Sequence, residues 1–209
     1  MHASMIGYGE LGKQYVSFLS ETYHSAFFLF DDVAAENKAS GAFAFNHYQD
    51  EAYRDTDFYV SLGYKHLEAK HRILKELQQK SRRIPSFIHA SCFVNRTARI
   101  HDAAFIYPMC NIDQNVTVGL GSLINNSVTL SHDTSIGNCC YLSPGVIASG
   151  HVSIGDYSFV GSGAIISNGV SIGSHVKIGI GSVITKDIPD NTSVIGNPMK
   201  IVSKPLTIL

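Results

Sequence analysis

The sequence predicts a small α/β domain over residues 1–87, followed by an all-β parallel β-helix over residues 88–209. Two patterns support this prediction. Near the N-terminus, a glycine-rich turn separates a short apolar segment from apolar residues at helical spacing. Further along, an aliphatic residue stands at every sixth position from Ile88 to Ile184, and only Ala148 interrupts the series. A chain of 209 residues is long enough for two small domains.

The glycine-rich turn over residues 7–12 predicts a strand, a tight turn and a helix, because it lies between an apolar segment and a helical pattern. Gly7, Gly9 and Gly12 have the spacing of the dinucleotide-binding fingerprint, in which backbone amides and a helix N-terminus approach a pyrophosphate. Asp31 follows a second apolar segment, 19 residues after Gly12, where an acidic residue can bond to a ribose hydroxyl. We therefore predict a Rossmann-like domain.

This domain is too short for a complete dinucleotide fold, which needs two βαβαβ halves. Its 87 residues add only a third apolar segment and a polar, helical stretch, enough for about one half. The pattern therefore favours a single mononucleotide-sized site over a site for NAD. The alternative is a tight turn with a purely structural role, since a lone glycine fingerprint is not specific.

The six-residue period matches neither an α-helix nor an alternating strand, and it is typical of a hexapeptide β-helix. Four positions after each aliphatic residue stands a small or β-branched side chain. Glycines that recur every 18 residues indicate three hexapeptides per coil and a permissive backbone at one corner; they are Gly119, Gly137, Gly155 and Gly173. Between five and six coils fit. Stacked coils of this kind bury one continuous apolar column.

The apolar column accounts for three of the four cysteines as small core side chains. Cys92, Cys110 and Cys140 occupy its small-residue positions, a common role of buried free cysteine. Cys139 lies outside the column, and the sequence assigns it no role. The chain has no C-x-x-C pair and we expect a reducing compartment, so the sequence predicts neither disulfides nor a cysteine metal site.

Charge and hydropathy exclude two classes of partner. The chain has 16 Lys and Arg against 17 Asp and Glu, and its net charge of −1 gives no broad positive field for nucleic acid or an anionic membrane. The longest uncharged segment, residues 134–155, contains Pro144 and four glycines, so we predict no membrane span. The N-terminal residues lack the pattern of a secretory signal, and we expect a cytoplasmic protein.

Three motifs carry a resemblance to a known family: the segment Leu130-Ser131-His132-Asp133, the glycine-marked coils after it, and the exit segments 185–191 and 196–198. With them, the sequence resembles the bacterial sugar O-acyltransferase family of hexapeptide-repeat acyltransferases. That family includes sialic acid O-acetyltransferases and N-acetyltransferases of UDP-4-amino-sugars, and the resemblance covers nearly the whole chain. It implies a left-handed β-helix, a homotrimer with active sites at subunit interfaces, and acetyl-CoA as cosubstrate without a metal ion.

The resemblance also implies roles for individual residues. His132 is the expected general base, and Asp133 makes its imidazole more basic. The positions expected to contact acetyl-CoA are Tyr141, Gly150, Ser162 and Gly179. The positions expected to hold the nucleotide-sugar are Gly7, Gly9, Glu10, Leu11, Asp31, Asp32 and Gly63. Relatives commonly have glycine and histidine at positions 10 and 11, and an acidic Glu10 beside a pyrophosphate is repulsive unless it points away or bonds a sugar hydroxyl.

The register of the repeat independently supports one of these positions. Gly150 occupies the same place in its coil as His132 does one coil earlier, 18 residues back. Adjacent strands stack about 4.7–4.9 Å apart, so a glycine there leaves room for a thioester and exposes an N–H that helps to hold the oxyanion. His132, His151 and His175 lie 19 and 24 residues apart, at different coil positions, so a three-histidine zinc site is not predicted.

We therefore expect an acetyl-CoA-dependent N-acetyltransferase that acts on a nucleotide-linked amino-sugar in bacterial surface-glycan biosynthesis. The amine attacks the thioester directly while His132 removes its proton, and no acyl-enzyme forms. Two alternatives stay open. One is an O-acetyltransferase of sialic acid or a related sugar, which uses the same base on a hydroxyl. The other is a non-catalytic, nucleotide-sensing trimeric scaffold.

Overall fold

The computed structural model describes residues 2–23 and 26–202, which form two compact units divided between Pro85 and Ser86. The first unit is a small α/β unit with a parallel sheet, and the second is a parallel β-solenoid of about six turns. The predicted fold class is confirmed. Within the described ranges, no helix is long and apolar enough to cross a membrane.

The sheet of the first unit has the strand order β3-β2-β1-β4, and every pairing in it is parallel. Its strands are β1 (Ala3–Ile6), β2 (Phe28–Phe30), β3 (Ala42–Phe43) and β4 (Asp57–Val60). Its helices are α1 (Glu10–Leu19), α2 (Asp32–Glu36) and α3 (Leu67–Gln79), with 3₁₀ turns at Phe45–Gln49, Glu51–Tyr53 and Tyr64–His66. The winding direction changes between β1 and β4, and parallel sheets bind ligands at such a point.

Burial explains why the central strands of this sheet form. Every residue of β1 and β4 is buried, as expected for parallel strands covered on both faces. The helices α1 and α3 contribute apolar side chains that are at most 1% exposed, namely Tyr15, Leu19, Leu74 and Leu77. The carboxyl ends of the strands, where the glycine turn and Asp31 stand, are therefore held in a fixed frame.

The second unit winds through three walls, each a parallel sheet made almost entirely of two-residue strands. The first wall consists of Phe87–Ile88, Phe105–Ile106, Leu123–Ile124, Tyr141–Leu142, Phe159–Val160, Lys177–Ile178 and Ser193–Ile195, with Lys200–Val202 added antiparallel. The second wall consists of Phe93–Val94, Asn111–Ile112, Thr129–Leu130, Ile147–Ala148, Ile165–Ile166 and Val183–Ile184. The third wall consists of Arg99–Ile100, Thr117–Val118, Ser135–Ile136, Ser153–Ile154 and Ser171–Ile172.

The predicted column is the core of this unit. Successive strands of a wall lie 18 residues apart in register, as Leu130 and Ala148 do. From Ile106 onward the aliphatic series points inward and forms a single core cluster, in which even Ala148, the exception in the series, is fully buried. The three earlier members of the series, in the first coil, are less buried. Cys110 and Cys140 lie inside this cluster and Cys92 packs against it. The sequence-based interpretation of these three cysteines as core side chains agrees with their positions.

The corners of the solenoid hold residues with a left-handed backbone. Asn115, Asp133 and His151, which stand at the same place in successive coils, have φ angles of 57°, 60° and 58°. Outside glycine, Asn, Asp and His are enriched in this conformation. Cys139 also has a positive φ, at another corner, where it is fully buried and donates its N–H to the Leu120 carbonyl (2.8 Å). Cys139 is thus a small corner residue rather than a member of the column.

Candidate active site

One corner of the solenoid gathers polar side chains from four coils. It lies between the second and third walls and comprises residues 114–115, 132–133, 150–151 and 168–169, which we call the His132 corner. One residue separates each pair from the end of the preceding strand of the second wall. The 18-residue register therefore stacks the pairs above one another. The parallel ladder that fixes the core therefore also fixes the relative positions of these side chains.

His132 and Asp133 form a hydrogen-bonded pair at this corner. The His132 Nδ1 lies 3.0 Å from the Asp133 Oδ2, and the Asn115 amide donates to the Asp133 Oδ1 at 3.0 Å. The hydrogen bond from Asn115, and next the one from His132, lower the pKa of the Asp133 carboxyl below its usual value. An ionised carboxylate only accepts hydrogen bonds, so Nδ1 carries the proton and Nε2 is left with the lone pair. The pair is thus arranged for a base at Nε2.

Gly150 lies against the reactive edge of His132. A Cβ atom at this position would lie 2.5 Å from His132 Cε1, 2.6 Å from His132 Nε2 and 2.9 Å from Asn168 Oδ1. Only glycine therefore fits beside the imidazole without displacing it. Among the described residues, none accepts a hydrogen bond from the Gly150 N–H. The structure brings His132, Asp133 and Gly150 together at one corner.

His151, for which the sequence predicts no function, also belongs to this corner. Its ring lies edge-on to the His132 ring, with centroids 5.0 Å apart and planes at 86°, and its Nε2 is 4.0 Å from the Asp133 Oδ2. Ligand atoms of His132, Asp133 and His151 all lie within 4.8 Å of one another. His175 is at a different corner, beside Tyr157. The signal that finds His151 is its place exactly one coil above Asp133.

The remaining positions expected to contact acetyl-CoA lie elsewhere on the solenoid. Tyr141 is a half-buried residue of the first wall, where its ring stacks on Phe159 with centroids 5.6 Å apart. Ser162 and Gly179 are at the corner between the first and second walls. The whole width of the second wall separates that corner from the His132 corner. Within one chain, the structure therefore groups Gly150 with His132 but does not group Tyr141, Ser162 or Gly179 with it.

The glycine turn of the first unit presents bare backbone. Gly7 has a φ of 85°, and a Cβ on Gly12 would lie 2.5 Å from the Gly7 carbonyl oxygen, so these two glycines let α1 pack closely behind β1. Gly9 precedes α1, is exposed, and has nothing within 4 Å of where its Cβ would stand. Leu11, in the first turn of α1, is half-buried. The amides at the start of α1 are accessible to an anion.

The acidic residues after β2 hold this region together. Asp31 caps α2 by accepting the Ala34 N–H at 2.9 Å, and its other oxygen accepts the Tyr8 N–H of the glycine turn at 2.8 Å. Asp32 accepts the Phe45 N–H at 2.8 Å. Each carboxylate oxygen has a second lone pair, so Asp31 keeps the capacity to accept a hydroxyl while it performs this structural role.

Gly63 completes the set of positions expected to hold the nucleotide-sugar. It follows β4 and leaves open space where a Cβ would stand. Gly9, Asp31 and Gly63 therefore follow the carboxyl ends of β1, β2 and β4, respectively, and these ends meet at one edge of the parallel sheet. That edge is the usual ligand-binding edge of such sheets.

Glu10 carries a compensated charge. Its carboxylate is 87% exposed and forms an ion pair with the Lys13 ammonium at 2.8 Å. The hydrogen bond from Lys13 lowers the pKa of Glu10. The lysine reduces the repulsion that an acidic residue at this position would exert on a pyrophosphate.

Solved structures with this fold cover almost the whole chain. The acetyltransferase domain of PglB from Neisseria gonorrhoeae superposes with a TM-score of 0.82 at 25% identity, over 96% of this chain and 99% of that one. A variant of perosamine N-acetyltransferase from Caulobacter crescentus superposes with a TM-score of 0.87 at 22% identity, over 98% of each chain. The chain has the fold of these sugar acyltransferases.

A further structure with this fold is WeeI from Acinetobacter baumannii, with a TM-score of 0.87 at 18% identity, over 97% of this chain and 100% of that one. These neighbours are left-handed β-helix proteins. The PglB domain has been solved with acetyl coenzyme A, and the perosamine N-acetyltransferase variant with CoA and GDP-perosamine. No protein-family model and no curated protein matches the chain.

Proposed function

We propose that the protein is an acetyltransferase that uses acetyl-CoA to N-acetylate a nucleotide-linked amino-sugar. The observation that carries the proposal is the His132–Asp133 pair with the bare Gly150 backbone stacked on its reactive edge. Two neighbours of the same fold support the substrate class, since one binds acetyl coenzyme A and the other binds CoA together with GDP-perosamine. Bacterial surface-glycan biosynthesis is the proposed context, because modified nucleotide-sugars of this kind are its building blocks.

The proposed reaction is a direct transfer at the His132 corner. The amine of the sugar attacks the thioester carbonyl carbon, and His132 Nε2 accepts the proton that the amine loses. The carbonyl oxygen becomes an oxyanion, for which the Gly150 N–H is the proposed donor. When the intermediate collapses, the bond to sulfur breaks and CoA leaves as a thiolate. Asp133 holds the imidazole in the required tautomer and stabilises the imidazolium.

The cysteines support a mechanism without an acyl-enzyme. Burial raises the pKa of the Cys110 and Cys140 thiols to about 12, and the nucleophilic form of cysteine is the thiolate. Both side chains are packed in the apolar column. Neither thiol is therefore suited to accept an acetyl group at neutral pH.

The distribution of the acetyl-CoA positions supports a homotrimer with composite sites. Tyr141, Ser162 and Gly179 are separated from His132 by the second wall of the same chain. A neighbouring subunit that presents its first wall and adjoining corner would bring these residues to the His132 corner. We propose that acetyl-CoA binds in that groove, and that the glycine turn and Asp31 of the first unit hold the nucleotide.

The proposal is tested by an assay against nucleotide-linked amino-sugars. The purified protein is incubated with acetyl-CoA and UDP-, dTDP-, GDP- or CMP-linked amino-sugars, while released CoA thiol and the product mass are measured. We expect acetylation of the amine of one of these substrates, and thermal-shift screening identifies it beforehand because binding stabilises the folded protein. A parallel reaction contains sialic acid as the acceptor, and acetylation of its hydroxyl in place of any amine would make the protein an O-acetyltransferase. Binding of both substrates without CoA release would indicate a scaffold.

A further inference from the structure

The His132 corner contains three potential metal ligands from two successive coils. His132 and Asp133 belong to one coil and His151 to the next, and the His151 N–H donates to the His132 carbonyl at 3.0 Å. This backbone hydrogen bond fixes the spacing of the two coils at the point where the histidines leave the chain. Ligand atoms of the three side chains lie within 4.8 Å of one another. The hydrogen bonds between adjacent coils therefore hold these three residues close together.

The donor set suits a borderline transition metal. Two imidazoles and one carboxylate match the nitrogen and oxygen ligands that Zn²⁺ takes in proteins, whereas Mg²⁺ and Ca²⁺ prefer oxygen ligands alone. The Asp133 carboxylate is ionised and, in the part of the chain that the structure describes, no lysine or arginine forms an ion pair with it. Its negative charge remains available to a cation.

The ligand atoms can reach the spacing of a zinc site by side-chain rotation alone. A tetrahedral zinc ion with bonds of about 2.1 Å holds its ligand atoms about 3.4 Å apart. The His132 Nδ1 and Asp133 Oδ2 are 3.0 Å apart, and the His151 Nε2 is 4.0 Å from the same oxygen. The side chains of His132, Asp133 and His151 are 43%, 35% and 59% exposed, so they can rotate and an ion can reach them from solvent.

We propose that His132, Asp133 and His151 form a binding site for a transition-metal dication of the Zn²⁺ class, and that the bound ion blocks the base. Neutral imidazole has one lone pair, and coordination uses it whichever ring nitrogen binds the metal. His132 then cannot accept a proton from the substrate. The blocking effect rests on the proposed acetyltransferase function, whereas the metal site itself does not.

Calorimetry on the full chain tests the site independently of activity. Protein freed of metal by a chelator is titrated with ZnCl₂ and, separately, with MgCl₂. We expect one Zn²⁺ per chain and no heat from Mg²⁺. His151→Asn keeps a residue that tolerates the left-handed backbone and should weaken Zn²⁺ binding by at least about tenfold. His175→Asn, which replaces a histidine of the same backbone conformation at another corner, should bind Zn²⁺ like the unaltered protein.

The outcomes separate the two parts of the proposal from the proposed function. Absence of Zn²⁺ binding, or equal binding by His151→Asn and the unaltered protein, would overturn the metal site. In the acetyl-transfer assay, Zn²⁺ should inhibit the unaltered protein and His175→Asn, with recovery on adding chelator, and inhibit His151→Asn far less. Because the CoA thiol also binds Zn²⁺, the comparison is made between variants under identical conditions. Binding to the corner without inhibition would overturn the block, and an inactive protein that binds Zn²⁺ would count only against the proposed function.

Discussion

The His132 corner and the glycine turn of the first unit are built in opposite ways. At the corner, side chains project from a backbone that repeats every 18 residues, and each coil contributes at least one polar side chain. At the glycine turn, three of the six residues are glycines, and the backbone itself is exposed at Gly9, just before α1. Acid–base chemistry needs a positioned side chain, whereas an anion is held by amides. The contrast indicates which substitutions should affect transfer and which should affect nucleotide binding.

The largest effect is expected at the base. His132→Asn should reduce the rate of acetyl transfer by about 10²- to 10⁴-fold, because general-base catalysis contributes about that factor. Affinity for acetyl-CoA and the Tm should stay close to those of the unaltered protein, since the side chain lies at an open corner. Steady-state kinetics, calorimetry and thermal melts measure the three quantities. His175→Asn is the matched control, and transfer at the normal rate by His132→Asn would remove the base from the proposed mechanism.

Gly150→Ala tests the packing at the His132 corner. Its Cβ would stand 2.5 Å from the imidazole, so the ring must move, and a displacement of about 1 Å can cost about a hundredfold in rate. The clash should also lower the free energy of unfolding by about 1–3 kcal/mol.

A double-mutant cycle isolates the cause of the Gly150 effect. In a His132→Ala background the imidazole is gone, so Gly150→Ala should cost less stability by about 0.5–3 kcal/mol, the range for residues in contact. Urea denaturation of the four proteins provides the comparison. Equal costs in both backgrounds would show that the glycine does not make room for the imidazole.

In the first unit, the expected effects come from the backbone. Gly12→Ala would place a Cβ 2.5 Å from the Gly7 carbonyl oxygen. The overpacking should lower the free energy of unfolding by about 1–3 kcal/mol, after the gain of about 1 kcal/mol that alanine brings in helix propensity has been offset. Gly9→Ala meets nothing within 4 Å and should cost at most about 1 kcal/mol as a poorer N-cap. Chemical denaturation and nucleotide-sugar affinity distinguish them. If the two variants were equally stable, close packing of α1 on β1 would not explain Gly12.

The smallest effect concerns the buried thiols of the solenoid. Because Cys139 is fully buried and burial raises the pKa of the Cys110 and Cys140 thiols to about 12, we expect at most one of the four thiols to react with a disulfide reagent at pH 8 in the native protein. All four should react in denaturant. Mass spectrometry should place any native modification on half-buried Cys92. Rapid labelling of Cys140 would mean that the stacked coils open readily.

The sequence predicts the solenoid well because every coil must place the same kind of side chain in the same column. It does not predict β3 or α2, since elements of two and five residues are too short for a periodic signal. These elements depend on distant contacts. Asp31 caps α2 and joins it to the glycine turn, and Phe43 of β3 packs on Phe28 and Tyr53.

In the candidate site, the sequence predicts the contacts that the repeat sets and not those that depend on other chains. The 18-residue register alone places Gly150 on His132. It applies equally to Asp133 and His151, whereas a comparison of His151 with the other histidines alone does not reveal this stacking. Asn115, whose amide holds Asp133, stands in the same register. The positions of Tyr141 and Ser162 relative to His132 depend on neighbouring chains, which the repeat within one chain does not encode.

The left-handed backbone at the solenoid corners restricts which amino acids can stand there. Asn115, Asp133 and His151 satisfy that restriction, and the residue types most tolerant of it, apart from glycine, carry amide, carboxylate or imidazole groups. The backbone shape of a corner therefore favours residues that can also accept protons or bind metal ions. Exchanging one of these groups for another alters the chemistry of the corner while leaving the winding of the chain intact.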